Sequence, residues 1–440
     1  MDHLISTENR NINDILKKLE LLEIDLKDAI PLARDARENG EDINKSDRFG
    51  MTILHWAASY KNTEAIKKLL DLGVDFTLKN NDKKTFLDIL GADDLDSVKD
   101  VRTYILLKQI ENNNLENLKS LLNERKYDIN HQDESGMTVL HHSACKNNFD
   151  AIKILIEKGI NTEILDNKGN TFRKYLHIRY MEKVESLILV QAIVDGDAEK
   201  VDKLINEGID LNSISEFGDS ALMIAAKNSS IGNIIIVDEL IKKGVNLNSK
   251  NFYGDTPLIF ASKNENLTVL YMLIEAGADV NEKNNLGKTA LMYVSNWVTM
   301  EDVNAIRELI SNNADVSAKD NSGSTALMEA VKAGNREVIN TLIQNNASVN
   351  EKANDGSTPL ILAAIKSDKQ MVKTLLENGA DSLCKNNEGF NAEDYMPSIK
   401  LIKQEFVSKN KTTRTGCLSR SASSSSFTMD RRGELEFIDF

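Results

Sequence analysis

Cys145 follows His142 by three residues and His141 by four, and a thiol near an imidazole is the raw material of nucleophilic catalysis, the ring taking the proton and the thiolate attacking. The spacing argues against that use. Adjacent and four-apart placement on one helix assembles no third group to orient the ring and no oxyanion hole, so an enzyme with a cryptic pocket near His142 and Cys145 stands only as the alternative reading. The histidine doublet has no Glu-x-x-His and no further ligand at helical spacing, and zinc is not expected. All six histidines lie before residue 178. No Gly-rich phosphate loop occurs, and Asp and Asn fall one per turn instead of clustering into a calcium loop. No catalytic residue, cofactor or metal is therefore expected.

The elements that carry these residues repeat. Gly50-Met-Thr-Ile-Leu-His55 is followed by Leu69-Leu70 and Gly73-Val-Asp75, and the same order returns at Gly254-Asp-Thr-Pro-Leu-Ile259 with Leu273-Ile274 and Gly277-Ala-Asp-Val-Asn281. Turn glycines set the period: Gly254 to Gly287, Gly323 to Gly356 and Gly356 to Gly389 are 33 residues each, whereas Gly218 to Gly254 and Gly287 to Gly323 are 36. Asp-x-x-Gly, as at Asp47, Asp133, Asp166 and Asp320, suits a hairpin tip in which the carboxylate bonds local backbone and glycine takes φ > 0. Asn251, Asn284 and Asn386 take the same place. Thr52, Thr138, Thr256, Thr289, Thr325 and Thr358 are placed to cap a first helix, with Pro257 and Pro359 in its opening turn. A second helix carries Leu-Leu or Leu-Ile and ends at Gly, or at Asn313 and Asn346, where a left-handed C-cap is tolerated.

A 33-residue unit with these residues resembles the ankyrin repeat. The resemblance implies an all-α solenoid, each repeat a β-turn hairpin and two antiparallel helices, about ten of them between residues 40 and 396. It also implies that His55 and His141, in the Thr-x-Leu-His position, bond the backbone of neighbouring hairpins. Two spans depart from the pattern, from Lys83 to Gly136 and from Gly169 to Gly218, each a shortened unit followed by an extra helix pair, about 98–123 and 182–207. The expected organisation is an N-terminal helical cap over 1–44, irregular repeats over 45–217, regular repeats with a C-terminal cap over 218–408, and a disordered tail over 409–440.

Composition narrows the partners. A chain of 440 residues with 41% hydrophobic and 28% charged residues folds. Its net charge of −14 and lack of a long basic cluster argue against nucleic acid. Three scattered cysteines support neither a disulfide framework nor a metal site, and a reducing cytoplasm is the expected compartment. The N-terminus lacks a basic stretch followed by an apolar one, so no cleaved signal peptide is expected. The longest apolar run, Ser186–Val194, is too short for a membrane span.

Function then means a protein partner bound by a monomer. In ankyrin-like stacks the hairpin tips and exposed sides of the first helices form a concave surface whose variable residues set specificity. By motif these are Phe49, Met51 and Tyr60 in one repeat, then Phe217, Phe252 with Tyr253, and Leu286 with Trp297 in later ones. With aromatics only 5% of the chain, such a run at solvent-facing positions points to interface anchors; the competing reading is packing, with Trp297 in a repeat that carries an insertion and Phe252 or Tyr253 covering a neighbouring tip. Trp56, Phe260 and Tyr293 are expected in the core. The tail, Ser-rich from Ser419 and ending Phe437-Ile-Asp-Phe440, resembles the C-terminal signals of bacterial type IV effectors such as those of Legionella, which implies secretion into a host cell. A phosphoregulated tail on a eukaryotic-type scaffold, through Arg420-Ser-Ala-Ser423, is the competing expectation.

Overall fold

A computed structural model describes residues 11–20, 25–91, 95–124, 126–212, 214–297 and 302–404. The expected tail and Cys417 lie outside the described residues, as does part of the N-terminal cap. Among the described residues there is no strand, only an isolated bridge between Lys385 and Asn391, so the class is all-α. The chain divides into two compact units, residues 1–191 and 192–440.

In the first unit the pair Ile12–Glu20 and Leu26–Glu38 precedes the first repeat, Ile53–Ser59 with Thr63–Asp71. Thr52 builds a capping box with His55 in place of the usual Glu. The shortened unit is the five-residue helix Phe86–Leu90, capped by Thr85 and Asp88, and the extra pair after it is Leu95–Glu111 with Leu115–Asn123. Val139–Cys145 and Phe149–Glu157 form a complete repeat. Its successor keeps two 3-10 turns, Phe172–Tyr175 and Ile178–Tyr180, before the helix Met181–Asp195.

The second unit stacks Ala221–Ala226 with Ile231–Lys242, Pro257–Lys263 with Leu267–Glu275, Ala290–Val294 with Asp302–Ser311, Ala326–Ala333 with Arg336–Gln344, and Pro359–Ile365 with Lys369–Glu377. Ser220, Thr256, Thr325 and Thr358 each accept the N–H three residues on, at 3.3–3.4 Å. Between the two layers lie Leu258, Leu270, Leu273, Leu291, Leu327 and Leu342, all at most 1% exposed. Small residues such as Ala261, Ala290 and Ala330 let the inner helices pack closely, and burial of this continuous seam is what a single repeat could not achieve alone.

Candidate functional site

The hairpin tips are built by one repeated set of bonds. Asp47 Oδ1 accepts the amides of Phe49 and Met51 at 2.8 and 2.9 Å, and Asn284 Oδ1 does the same for Leu286 and Lys288, both at 3.0 Å, which confirms the turn role expected of the first tip residue. The second tip residue has a job the repeat reading missed. Asn285 donates its amide N–H to the Tyr253 carbonyl and its Nδ2 to the Phe252 carbonyl, both at 2.9 Å. Asn81, Asn167, Asn321, Asn354 and Asn387 do the same to the tips before them, with Nδ2 distances of 2.8–3.0 Å. The fit leaves no room for a side chain on the preceding glycine: a Cβ on Gly254, whose φ is +74°, would stand 2.5 Å from Asn285 Oδ1. The recurrence of Asn directly after the turn Asp or Asn was the available signal.

Phe252 occupies that asparagine position and cannot make the side-chain bond. Its N–H still donates to the Phe217 carbonyl at 3.0 Å, but its ring, 71% exposed, lies over Gly218, where a Cβ would come within 2.9 Å of it. Phe217 and Tyr253 are neighbours, ring centroids 6.2 Å apart, and both are exposed, as is Leu286 on the next tip. Three successive tips of the second unit thus carry one apolar patch.

The other expected surface residues fare differently. Phe49 is exposed beneath the Arg48 guanidinium, 4.7 Å from its ring. Tyr60 is exposed but its hydroxyl reaches the Leu19 carbonyl at 3.4 Å, and Met51 is half-buried with its Sδ accepting from Asn80 Nδ2 at 3.5 Å. Trp297 corrects the sequence expectation of a solvent-facing ring. It is 6% exposed, and its Nε1 donates to the Ser262 carbonyl at 2.8 Å. Ser262 lies in the last turn of Pro257–Lys263, where carbonyls lack a helical partner, so the indole caps that end. Trp56, Phe260 and Tyr293, expected in the core, are half-buried on the inner-helix face.

Comparison with known proteins decides what kind of stack this is. The sequence model "Ankyrin repeats (3 copies)" matches residues 106–178, 189–284, 268–353 and 291–386, and "Ankyrin repeats (many copies)" matches 37–90. The chain belongs to the ankyrin-repeat family. Neurogenic locus notch homolog protein 1 of Mus musculus is 33% identical over 145 residues, and the Homo sapiens protein 32%. Each match covers 29% of this chain and only 6% of the relative's length. The solved ankyrin repeat domain of Bcl-3, described as a unique member of the IkappaB protein family, aligns at 26% identity and a TM-score of 0.43, covering 49% of this chain and 97% of that one.

Ankyrin repeats are protein-interaction modules, and within this one the features that suggested chemistry have structural work. His55 Nδ1 accepts the Thr52 N–H at 3.2 Å, which leaves the proton on Nε2 to meet the Lys84 carbonyl at 3.2 Å. His141 repeats the geometry with Thr138 and Asn170. His142 Nε2 lies 2.7 Å from Asp133 Oδ2, a pair that looks like an acid–base dyad. The same nine-residue step joins Trp56 to Asp47 at 3.0 Å, Tyr175 to Asp166, Tyr293 to Asn284 at 2.9 Å and Tyr395 to Asn386 at 3.1 Å. The dyad is thus the histidine form of a brace between tip and inner helix. Burial would raise the Asp133 carboxyl, but His142 and the Met137 and Ser135 amides hold it below the usual range. Burial pushes the Cys145 thiol up, away from the thiolate that attack needs.

The inner-helix face of the second unit also carries charge. Lys263 Nζ lies 2.8 Å from Asp255, and Glu329 is held by Lys288 at 2.9 Å, by Lys332 at 2.8 Å and by the Ser324 hydroxyl at 2.8 Å. Burial alone would raise the Glu329 carboxyl; these three partners keep it lowered. Lys263 and Lys288 also stand over the Tyr293 ring, at 5.9 and 5.7 Å.

Proposed function

We propose that the protein is a binding scaffold that captures a protein partner on the tip and inner-helix face of the second unit, with Phe217, Phe252, Tyr253 and Leu286 as anchors. The observation that carries this reading is Phe252. It takes a position held by asparagine at six other tips, where Asn81, Asn167, Asn285, Asn321, Asn354 and Asn387 reach the tip before, forfeits the side-chain bond they supply, and is itself exposed. Exposed aromatic clusters of this kind are usual interface anchors. The stacked tips need little ordering on association, so the cost of binding is small. The first unit's Phe49 and Tyr60 form a separate, lesser candidate surface, and Met51 contributes from its half-buried position beside them.

The same reading takes the protein as a monomer in a reducing compartment, with Cys145 and Cys384 free thiols. Residues 409–440, expected to carry an export signal or a phosphorylated segment, lie outside the described residues. The direct experiment is capture of partners from cell lysate by the wild type and by a Phe217→Ser, Phe252→Asn, Tyr253→Ser triple variant. Loss of the captured protein with an unchanged melting curve supports the reading; undiminished capture overturns it.

A further inference from the structure

The apolar patch does not end in a neutral surface. Asn321 N–H donates to the Leu286 carbonyl at 2.9 Å, so the tip carrying Ser322 lies directly beside the last apolar tip. Behind Ser322 opens a cleft of about 250 Å³ lined by Ser322, Ser324, Met328, Lys332 and Asn354 among others. Its carboxylate, Asp355, is occupied by the Ser357 N–H and hydroxyl, both at 2.9 Å.

Charge on this face is asymmetric in depth. The side chains of Asp255 and Glu329 are 1% and 8% exposed, while those of their partners Lys263, Lys288 and Lys332 are 40%, 25% and 45% exposed. The carboxylates are sunk and the ammoniums reach water. Each ammonium has three N–H donors; Lys288 commits one to Glu329, and Lys332 commits two, to Glu329 and Ser324. Asp355 brings the strip to no net charge, so in a chain of net charge −14 it is a surface that does not repel an acidic ligand and whose exposed ammoniums can still donate to one.

We propose that the partner presents an extended segment with an apolar side chain seated on the Phe252, Tyr253 and Leu286 tips and an acidic side chain in the cleft at Lys332. Spacing follows from geometry. The cleft lies between the tips of Ser322 and Asp355, about two repeats beyond the middle of the patch; repeats pack roughly 10 Å apart and an extended chain advances about 3.3 Å per residue, so the acid lies about six residues from the apolar anchor. This inference rests on the tip reading above and adds the chemistry of the ligand.

The test is selection of phage-displayed random dodecapeptides on the full chain, in parallel with F252N, K332M and S322E. The expected result is an enriched apolar residue with Asp or Glu about six positions away. A synthetic peptide with that pattern should bind the wild type and lose about tenfold in affinity on K332M or S322E. S322E adds a carboxylate at the exposed lip, gives up the Ser322 hydroxyl's bond to Asp320 at 2.7 Å and leaves the Lys332–Glu329 contact in place, and it decides the matter if K332M lowers the melting temperature. Enriched peptides that need Phe252 but show no acidic preference overturn this inference and leave the tip reading standing. Peptides indifferent to F252N, or no enrichment at all, overturn both.

Discussion

The Phe252 N–H donates to the Phe217 carbonyl at 3.0 Å while the Phe252 ring covers Gly218, the place where an asparagine amide reaches the preceding tip elsewhere in the stack. One tip-to-tip bond is kept and the other is given up for exposed apolar area. In the neighbouring repeats Asn285 and Asn321 keep both.

Those asparagines should matter to stability. Asn285→Ala or Asn321→Ala removes one side-chain hydrogen bond and is expected to cost about 0.5–1.5 kcal/mol in urea denaturation. No change in either midpoint would mean that the tip ladder is ornamental.

Trp297→Ala should be far more damaging, at about 3 kcal/mol or more, because it opens a cavity and strips the cap from the Ser262 carbonyl. Partner capture per folded molecule should be retained. A neutral effect on the denaturation midpoint would return Trp297 to the surface.

His55 links stability to acidity. Burial lowers its pKa from 6.5, against opposing contributions from the Lys84 carbonyl and the Asp47 charge. The unfolded chain therefore takes up the proton first as pH falls. The stability tied to this group is complete above about pH 6.5 and is lost as pH falls from there through the folded value. Urea midpoints at about pH 7.5 and 5.5 should differ less in a His55→Asn variant than in the wild type; an equal difference contradicts the assignment.

Much of this was legible in the sequence. The 33-residue beat, the Thr caps other than Thr289, whose buried hydroxyl makes no cap bond, the turn Asp and Asn residues and the extra helix pairs near residues 98–123 and 182–207 follow from local rules that act on neighbours in the chain. What was hidden depends on contacts between repeats. Asn285 looks like one more turn former until its amide is seen to reach the previous tip, and Trp297 looks exposed until its indole is seen to reach the Ser262 carbonyl. Likewise His142 reads as chemistry in isolation and as a brace once aligned with Trp56 and Tyr293.

Cys145 gives a direct check on the enzymatic alternative. With its thiol pushed up by burial, alkylation by iodoacetamide near neutral pH should be slow and should accelerate only in alkaline solution, followed by mass of the Cys145 peptide. Rapid labelling at pH 7 would indicate an activated thiolate and revive a nucleophilic role.

On the proposed reading Phe252 serves a partner and not the fold. Phe252→Asn tests it most directly, because asparagine can donate to the Glu216 carbonyl as its counterparts do one tip on. Melting temperature and partner affinity should be measured on the same preparation. Stability is expected to hold or rise by up to about 1 kcal/mol while binding falls at least tenfold. A lowered melting temperature with binding intact would contradict the account.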